Sequence, residues 1–125
     1  MTAIGRLKTR SEFLYVKAGT RFATPSLVLQ ARPRAAATVT ATPLARFGFT
    51  ATKSLGGAVV RNRARRRLKE AVRLSGPAHA AEGYDYVLIA RGGTVQRPFT
   101  ELIRDLERAL DKVHEPSSTK TRRKS

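Results

Sequence analysis

The stretch RFGFTATKSLGGAVVRNRARRRLKEAVRL, residues 46–74, decides the fold because it changes from strand to helix periodicity within one segment. Residues 46–52 alternate, with Phe47 and Phe49 on one face and smaller residues on the other, as in a half-buried strand. The glycine pair after Leu55 interrupts this pattern, and the spacing that follows predicts a helix over residues 58–74.

The predicted helix has two unlike sides. At about 100° per residue, Val60, Ala64, Leu68, Ala71 and Val72 fall on one apolar stripe. The opposite arc carries the basic residues Arg63, Arg65, Arg66, Arg67, Lys69 and Arg73. The helix therefore packs by one side and presents a cationic surface on the other.

Upstream of this segment, the sequence predicts one helix and one strand. Thr9 and Glu12 have the spacing of a capping box and predict a helix over residues 10–18. Residues 26–31 read as a strand whose Leu27 and Leu29 point one way while Val28 and Gln30 point the other. Residues 32–45 are rich in Pro, Ala and Thr and predict a mobile loop, with a chance of strand at 37–40.

Downstream, Ser75-Gly76-Pro77 is expected to end the helix. Residues 84–90 predict a buried strand, 91–93 a turn, and 98–114 a final helix with a mixed-charge polar face. The tail, residues 115–125, has no apolar residue and is predicted to be disordered. The pattern as a whole predicts a small single-domain α/β sandwich with one sheet and three helices.

Charge is distributed unevenly along the chain of 125 residues. Lys and Arg number 25 against nine Asp and Glu, a formal net charge of +16. Residues 53–73 alone carry +7, whereas residues 74–115 carry −2. Such a localised excess indicates a polyanionic partner, either a nucleic acid or an anionic membrane.

Composition excludes several classes of site. The chain has no cysteine, which excludes disulfides, thiol nucleophiles and cysteine–metal sites, and its two histidines, His79 and His114, stand far apart. No apolar run is long enough to span a bilayer, and no Trp accompanies the charge as in a membrane-surface helix. We expect a soluble, intracellular protein without a metal site or catalytic residues, since the acidic residues cluster after residue 100 and away from the basic helix.

Five arginines within residues 61–67 repel one another on a helix, so folding alone gives no reason to place them there. Binding to phosphates gives such a reason, because a guanidinium binds two phosphate oxygens at once and the contact releases counterions. Asn62 can offer a donor and an acceptor to a base edge, a sugar hydroxyl or a metal-bound water, or it can simply cap the first turn.

Residues 48–70 resemble the signature of the bacterial ribonuclease P protein component. The likeness rests on the order of a G-x-x-x-x-K strand end at 48–53, a G-x-A-V loop at 57–60 and an R-N-R helix start at 61–63. It extends from Leu7 to about Leu110, and the length and charge agree with that family.

The resemblance implies a fold. It predicts one domain over residues 1–114 with a disordered basic tail at 115–125, a mixed sheet of about four strands with three helices in the order αβββαβα, and a left-handed βαβ crossover. Residue patterns alone would favour a right-handed connection.

The resemblance also implies a function: binding the catalytic RNA of ribonuclease P and the 5′ leader of precursor tRNA, and promoting metal-dependent removal of that leader in the cytoplasm. Chemistry then belongs to the RNA subunit, which holds Mg²⁺, and the protein is expected to be monomeric with no DNA or membrane partner. The residues implied to contact the catalytic RNA are Lys53, Arg61, Asn62, Arg63, Arg65, Arg66, Arg67 and Lys69. Those implied to line a cleft for the leader are Phe13, Lys17, Val28 and Gln30.

Two departures from the family pattern concern that cleft. Lys17 and Gln30 stand where family members often have aromatic residues, so the leader is expected to be held more by charge and hydrogen bonds. Phe13 can equally be a core residue.

Two other functions remain as alternatives: a basic structural ribosomal protein, which shares the charge and size, and a DNA-binding regulator, whose recognition helix would need a narrower polar face.

Overall fold

The computed structural model describes residues 3–34 and 45–115. Its strands are β1 (Ile4–Arg6), β2 (Thr20–Ala23), β3 (Leu27–Pro33), β4 (Ala45–Thr50) and β5 (Tyr84–Ala90). Its helices are α1 (Arg10–Lys17), α2 (Ala58–His79), α3 (Gly92–Gln96) and α4 (Phe99–Val113), with a 3₁₀ turn, Lys53–Leu55, before α2. The possible strand at 37–40 and residues 116–125 of the predicted tail lie outside the described residues.

The strands form one mixed sheet in the order β1-β4-β5-β3-β2. β4 is parallel to both β1 and β5, whereas β3 is antiparallel to β5 and to β2. Helix α2 makes the crossover between the parallel neighbours β4 and β5. The predicted α/β sandwich is confirmed, and the left-handed sense of this crossover stays a prediction.

Helices cover the two faces of the sheet unequally. On one face α2 and α4 enclose the larger core, in which Leu29, Phe47, Leu68, Leu88 and Leu106 are fully buried. On the other face α1 encloses a small cluster of Leu7, Val16 and Val87, against which Phe13, Tyr15 and Ile89 pack. The alternation of β3 predicted from the sequence places Leu27 and Leu29 in the larger core and turns Val28 and Gln30 toward the α1 side of the sheet, in register with Ile89 and Val87.

An ion-pair network fastens α1 to the sheet. Buried Asp85 accepts hydrogen bonds from Arg34 at 2.7 Å and from Arg46 at 2.8 and 2.9 Å, and Arg46 also reaches Glu12 of α1 at 3.1 Å. Glu12 completes the predicted capping box with Thr9. Hydrogen bonds from the backbone N–H groups of Lys8 and Thr9, followed by the charge of Arg46, hold the pKa of Glu12 below its usual value. The network fixes the start of α1 against β4 and β5.

The described sheet has five strands rather than the expected four or so. The strands β1 and β2 were not predicted, because they contain only three and four residues. Segments this short show no measurable alternation. They form because β4 and β3 offer free edges, to which they add backbone hydrogen bonds.

Two predicted breaks in the chain were wrong. Helix α2 continues through Ser75-Gly76-Pro77 to His79, because Ser75 and Gly76 are buried by tertiary packing and the Ser75 hydroxyl donates to Glu107 of α4 at 2.9 Å. Pro77 lies two residues from the helix end, so its missing N–H removes a single bond there. Residues 91–93 likewise do not form an isolated turn, since Arg91 caps the short helix α3, whose Thr94 is buried.

We expect the free energy of unfolding to depend on pH through the imidazole of His114. The Tyr86 hydroxyl accepts a hydrogen bond from the Ala81 N–H at 2.9 Å and shares a second hydrogen bond with His114 Nε2 at 2.6 Å. Burial lowers the pKa of His114 below its usual value of 6.5, partly offset by Asp111. The unfolded chain therefore takes up this proton first as the pH falls, and the free energy of unfolding decreases below pH 6.5.

The measurement is urea denaturation at pH 7.5 and 5.5, which should give a lower unfolding free energy at the acidic pH. His114→Gln removes the titrating group and should flatten that difference. An equal pH dependence in the variant would assign the effect to other groups.

Candidate nucleic-acid interface

The first turn of α2 extends into solvent. A φ of +151° at Gly56, a conformation that favours glycine, turns the chain after the 3₁₀ turn, and Gly57 is the N-cap of α2. Val59 is 82% exposed and Val60 38% exposed, so the prediction that Val60 belongs to the buried stripe was wrong. Val60 packs instead toward Gly56, because the helix starts beyond the edge of the core. Ala64, Leu68, Ala71 and Val72 are buried as predicted.

The outward side of α2 carries the polar surface that we call the basic face, in which Arg65 is half-buried and the other residues are exposed: Asn62, Arg63, Arg65, Arg66 and Lys69. Lys53 is exposed on the preceding 3₁₀ turn. Glu70, the only acidic residue in α2, pairs with Arg73. In the described ranges, none of the cations of the basic face forms an ion pair with an acid. The charge of this surface is therefore not neutralised within the described fold.

Asn62 does not cap the helix, because the N-cap is five residues earlier at Gly57. Its side-chain oxygen instead accepts a hydrogen bond from Arg65 Nη2 at 3.0 Å. This bond orients the guanidinium of Arg65 and leaves the amide N–H groups of Asn62 facing solvent, without a partner among the described residues. The arrangement offers donors from two neighbouring side chains to one ligand.

Arg67 and Arg61 lie at the border of the basic face. The Arg67 guanidinium donates to the carbonyl oxygens of Thr94 at 2.8 Å and Arg97 at 2.5 Å, and lies 5.6 Å from the centre of the Phe99 ring. Two of its donors are thus used in joining α2 to the α3–α4 segment. Arg61 is half-buried, and its Nε has no hydrogen-bond partner in the described part of the chain.

The predicted leader-binding residues lie on the opposite side of the sheet, on α1 and β3. Phe13 lies directly over Gly48, where a Cβ would stand only 2.5 Å from the ring, so β4 has no room for a side chain there. Val28 and Gln30 are buried on β3, and Lys17 is exposed at the end of α1. We call the surface between α1 and β3 the cleft, and its role as a leader site stays a prediction.

Two further residues border the cleft. The strand register places Ile89 opposite Val28 and Thr50 opposite Ile89, so both occupy the face that α1 leaves partly open. Sequence reasoning missed them because this part of the cleft is assembled from three strands far apart in the chain. Phe13 is half-buried, and therefore packs on the small cluster while keeping part of its ring accessible.

In residues 3–34 and 45–115, no three His, Asp or Glu side chains are grouped as a metal site would require. Over the same residues, no helix combines the length and apolar character needed to cross a bilayer.

Comparison with known proteins gives a consistent result. A family model described as Ribonuclease P matches residues 1–114. A ribonuclease P protein component of Paramagnetospirillum magneticum is 50% identical over 111 residues, which cover 88% of this chain and 83% of that protein. One of Ruegeria pomeroyi is 46% identical over 116 residues, with 92% and 90% coverage.

Solved structures share the fold. The RNase P protein of Staphylococcus aureus superposes with a TM-score of 0.69 at 24% identity and covers 87% of this chain and 94% of that one. The RNase P protein from Thermotoga maritima gives a TM-score of 0.66 at 24% identity, with 82% and 96% coverage. At this identity the likeness concerns the fold alone.

Proposed function

Because the chain belongs to the ribonuclease P protein family and is the protein subunit of that ribonucleoprotein endoribonuclease, we propose that the basic face of α2 binds the catalytic RNA. The observation that carries this proposal is the set of cations at Arg63, Arg65, Arg66 and Lys69, which are not ion-paired within the described fold. Exposed guanidinium groups bind phosphate oxygens in pairs, and each contact releases counterions from the RNA. Lys53 extends the same surface toward the 3₁₀ turn.

Arg61 and Arg67 take different parts in this proposal. The Arg67 guanidinium is held by two carbonyls of the α3–α4 segment, so we assign it a positioning role with its remaining donors toward the RNA. The buried Nε of Arg61 has no hydrogen-bond partner in residues 3–34 and 45–115, and its terminal nitrogens are assigned to the RNA. Asn62 holds Arg65 and offers its free amide N–H groups to the RNA.

We assign the cleft to the 5′ leader of precursor tRNA. Phe13 offers part of an aromatic ring for stacking and Lys17 offers a charge at the end of α1, and the buried Val28 and Gln30 are assigned to the floor of the cleft. A single strand is the nucleic acid that fits, because its unpaired bases can reach a ring that is set between a helix and a sheet.

The protein contributes electrostatics and positioning to the reaction. Its cations lower the repulsion between the phosphates of the catalytic RNA and those of the precursor, which favours their association. Ribonuclease P is metal-dependent, and we propose that the metal is Mg²⁺ bound mainly by the RNA subunit. No described cluster of acids on this chain fits such an ion, and the acid nearest the basic face in sequence, Glu70, is paired with Arg73. We propose that the protein acts in the cytoplasm, where precursor tRNA is processed in bacteria.

Reconstitution tests the proposal. The protein is mixed with the catalytic RNA of its own organism and a labelled precursor tRNA at low Mg²⁺. Cleavage at the mature 5′ end should require the protein, and the protein alone should leave the precursor intact. Cleavage by the protein alone, or equal cleavage without it, would contradict the proposal. A structural ribosomal protein would give no stimulation in this assay.

Replacing Phe13 tests the leader assignment. Phe13→Leu keeps an apolar side chain over Gly48 but removes the aromatic surface, so affinity for a leader-bearing precursor should fall about tenfold, from a stacking contribution of about 1–3 kcal/mol. Binding is measured with the reconstituted holoenzyme, and mature tRNA should bind the variant and the wild type equally. Leu14→Ala, at a 51% exposed neighbouring position, is the control and should leave leader affinity unchanged. An equal loss for mature tRNA would exclude a leader contact.

A further inference from the structure

A second concave surface lies on the α2 side of the sheet, between β1 and the C-terminal half of α2. This cavity has a volume of about 390 Å³, and Ile4, Phe49, Val72 and Pro77 contribute apolar walls. β1 pairs only with β4 among the described strands, so the sheet ends beside the cavity. A volume of several hundred Å³ is typical of small-ligand sites. We call this cavity the edge pocket.

The charged residues that line the edge pocket are all basic: Arg6, Lys69 and Arg73. Arg73 is paired with Glu70, whereas Lys69 forms no ion pair with a described residue. The guanidinium carbon of Arg6 lies 5.9 Å from the centre of the Phe49 ring, at the mouth of the apolar wall. The pocket therefore suits a ligand that combines an apolar group with negative charge.

The edge pocket is continuous with the basic face through Lys69. That side chain also lines a hollow of about 400 Å³ on the outer side of α2, together with Val59, Asn62, Arg65 and Arg66. A polyanion bound along the basic face can therefore contact Lys69 and continue into the edge pocket. None of the residues that line the edge pocket belongs to the cleft, which lies across the sheet.

We propose that the edge pocket binds one unpaired nucleotide of the RNA held on the basic face, with the base against Phe49 and Val72 and its phosphate on Lys69 and Arg6. This inference rests on the proposed function of α2. An unstacked base has a flat apolar surface, and proteins bind such bases against aromatic rings and guanidinium planes. A fatty acid would also contact the apolar walls, but it carries a single negative charge. A nucleotide within a strand has a phosphate on each side of its base, which suits a pocket lined by three cations.

A short single-stranded RNA probes the pocket directly. The full-length protein is titrated with a trinucleotide that has 2-aminopurine at its centre, and the fluorescence change on burial of that base is followed. Binding should be saturable and should be reversed by AMP, but not by inorganic phosphate at equal ionic strength. Arg6→Glu should weaken binding about tenfold, whereas Arg104→Glu, at an exposed site on α4, makes the same change in net charge and should have no effect.

Filling the pocket gives an independent test. Ile4→Trp should reduce binding of the trinucleotide, and Leu74→Trp, at a half-exposed position of α2 that does not line the pocket, should not. Equal binding by Arg6→Glu and Arg104→Glu would overturn the proposal, as would stronger competition by decanoate than by AMP, which would indicate an acyl-chain site.

The proposed function is tested separately by the affinity of each protein for the catalytic RNA. If both proposals are correct, changing the basic face should lower the affinity for the catalytic RNA. Arg6→Glu should still weaken binding of the trinucleotide. Wild-type protein that does not bind the catalytic RNA would refute the proposed function without altering the trinucleotide result.

Discussion

Replacing Arg65 and Arg66 together by alanine is expected to weaken binding of the catalytic RNA about 100-fold. Both side chains lie on the basic face, and neither is ion-paired with a described residue. Each would lose a charge-assisted contact to phosphate of about 1.5–3 kcal/mol, and about 1.4 kcal/mol already corresponds to tenfold. The dependence of log K on log salt should also become shallower by about one per side chain removed.

The measurement is the dissociation constant of the protein–RNA complex at several salt concentrations. The matched control is Arg104→Ala with Arg108→Ala, which removes the same charge from exposed positions on α4. If the control pair lowered affinity and salt slope as much as the α2 pair, net charge rather than the basic face would account for binding. An unchanged salt slope in the α2 pair would exclude phosphate contacts there.

The second large effect concerns the network that fastens α1. Asp85→Ala is expected to reduce the free energy of unfolding by about 3–5 kcal/mol, because it leaves the buried guanidinium of Arg34 and the half-buried one of Arg46 without their shared carboxylate. Such a loss is a large part of the stability of a small domain. Arg46, whose pKa is raised chiefly by its hydrogen bonds to Asp85, would keep Glu12 as its one acidic partner among the described residues.

Urea denaturation measures this effect, with Glu70→Ala as the control, since the exposed Glu70–Arg73 pair should contribute nothing measurable. Asp85→Asn keeps the shape of the side chain and should lose less stability, so it remains measurable if the alanine variant fails to fold. A midpoint for Asp85→Asn equal to the wild type would mean that the ion pairs do not stabilise the fold.

The sequence predicted the long elements well because their periodicity is local. The capping box of Thr9 and Glu12, the alternation of β4 and the apolar stripe of α2 each appear within a few turns or strand residues. The helical angles of α2 could also have distinguished the arginines that lie next to the apolar stripe from those that face solvent. Arg61 projects into the apolar stripe and Arg65 and Arg67 lie at its borders, and these are the three arginines of the helix that the fold partly buries.

The sequence-based predictions failed where contacts between residues far apart in the chain override the local conformational preference. Ser75 and Gly76 continue a helix because α4 and the core cover them, and β1 forms because β4 presents a free edge. Neither the edge pocket nor the full cleft could be predicted, since each combines residues that only the order of the strands brings together.

The sequence by itself determined that this protein carries a basic helix on a small α/β fold and binds a polyanion, because like charges concentrated on one helix face are unfavourable unless a polyanion neutralises them. Only the tertiary structure decided which arginines remain free to bind it. Arg67 is held by carbonyls of the α3–α4 segment, whereas Arg63 and Arg66 are exposed and the half-buried Arg65 donates to Asn62 on the basic face. The physical reason is that hydrogen-bond partners 27 and 30 residues away in the chain come within reach of a guanidinium only once the helices have packed.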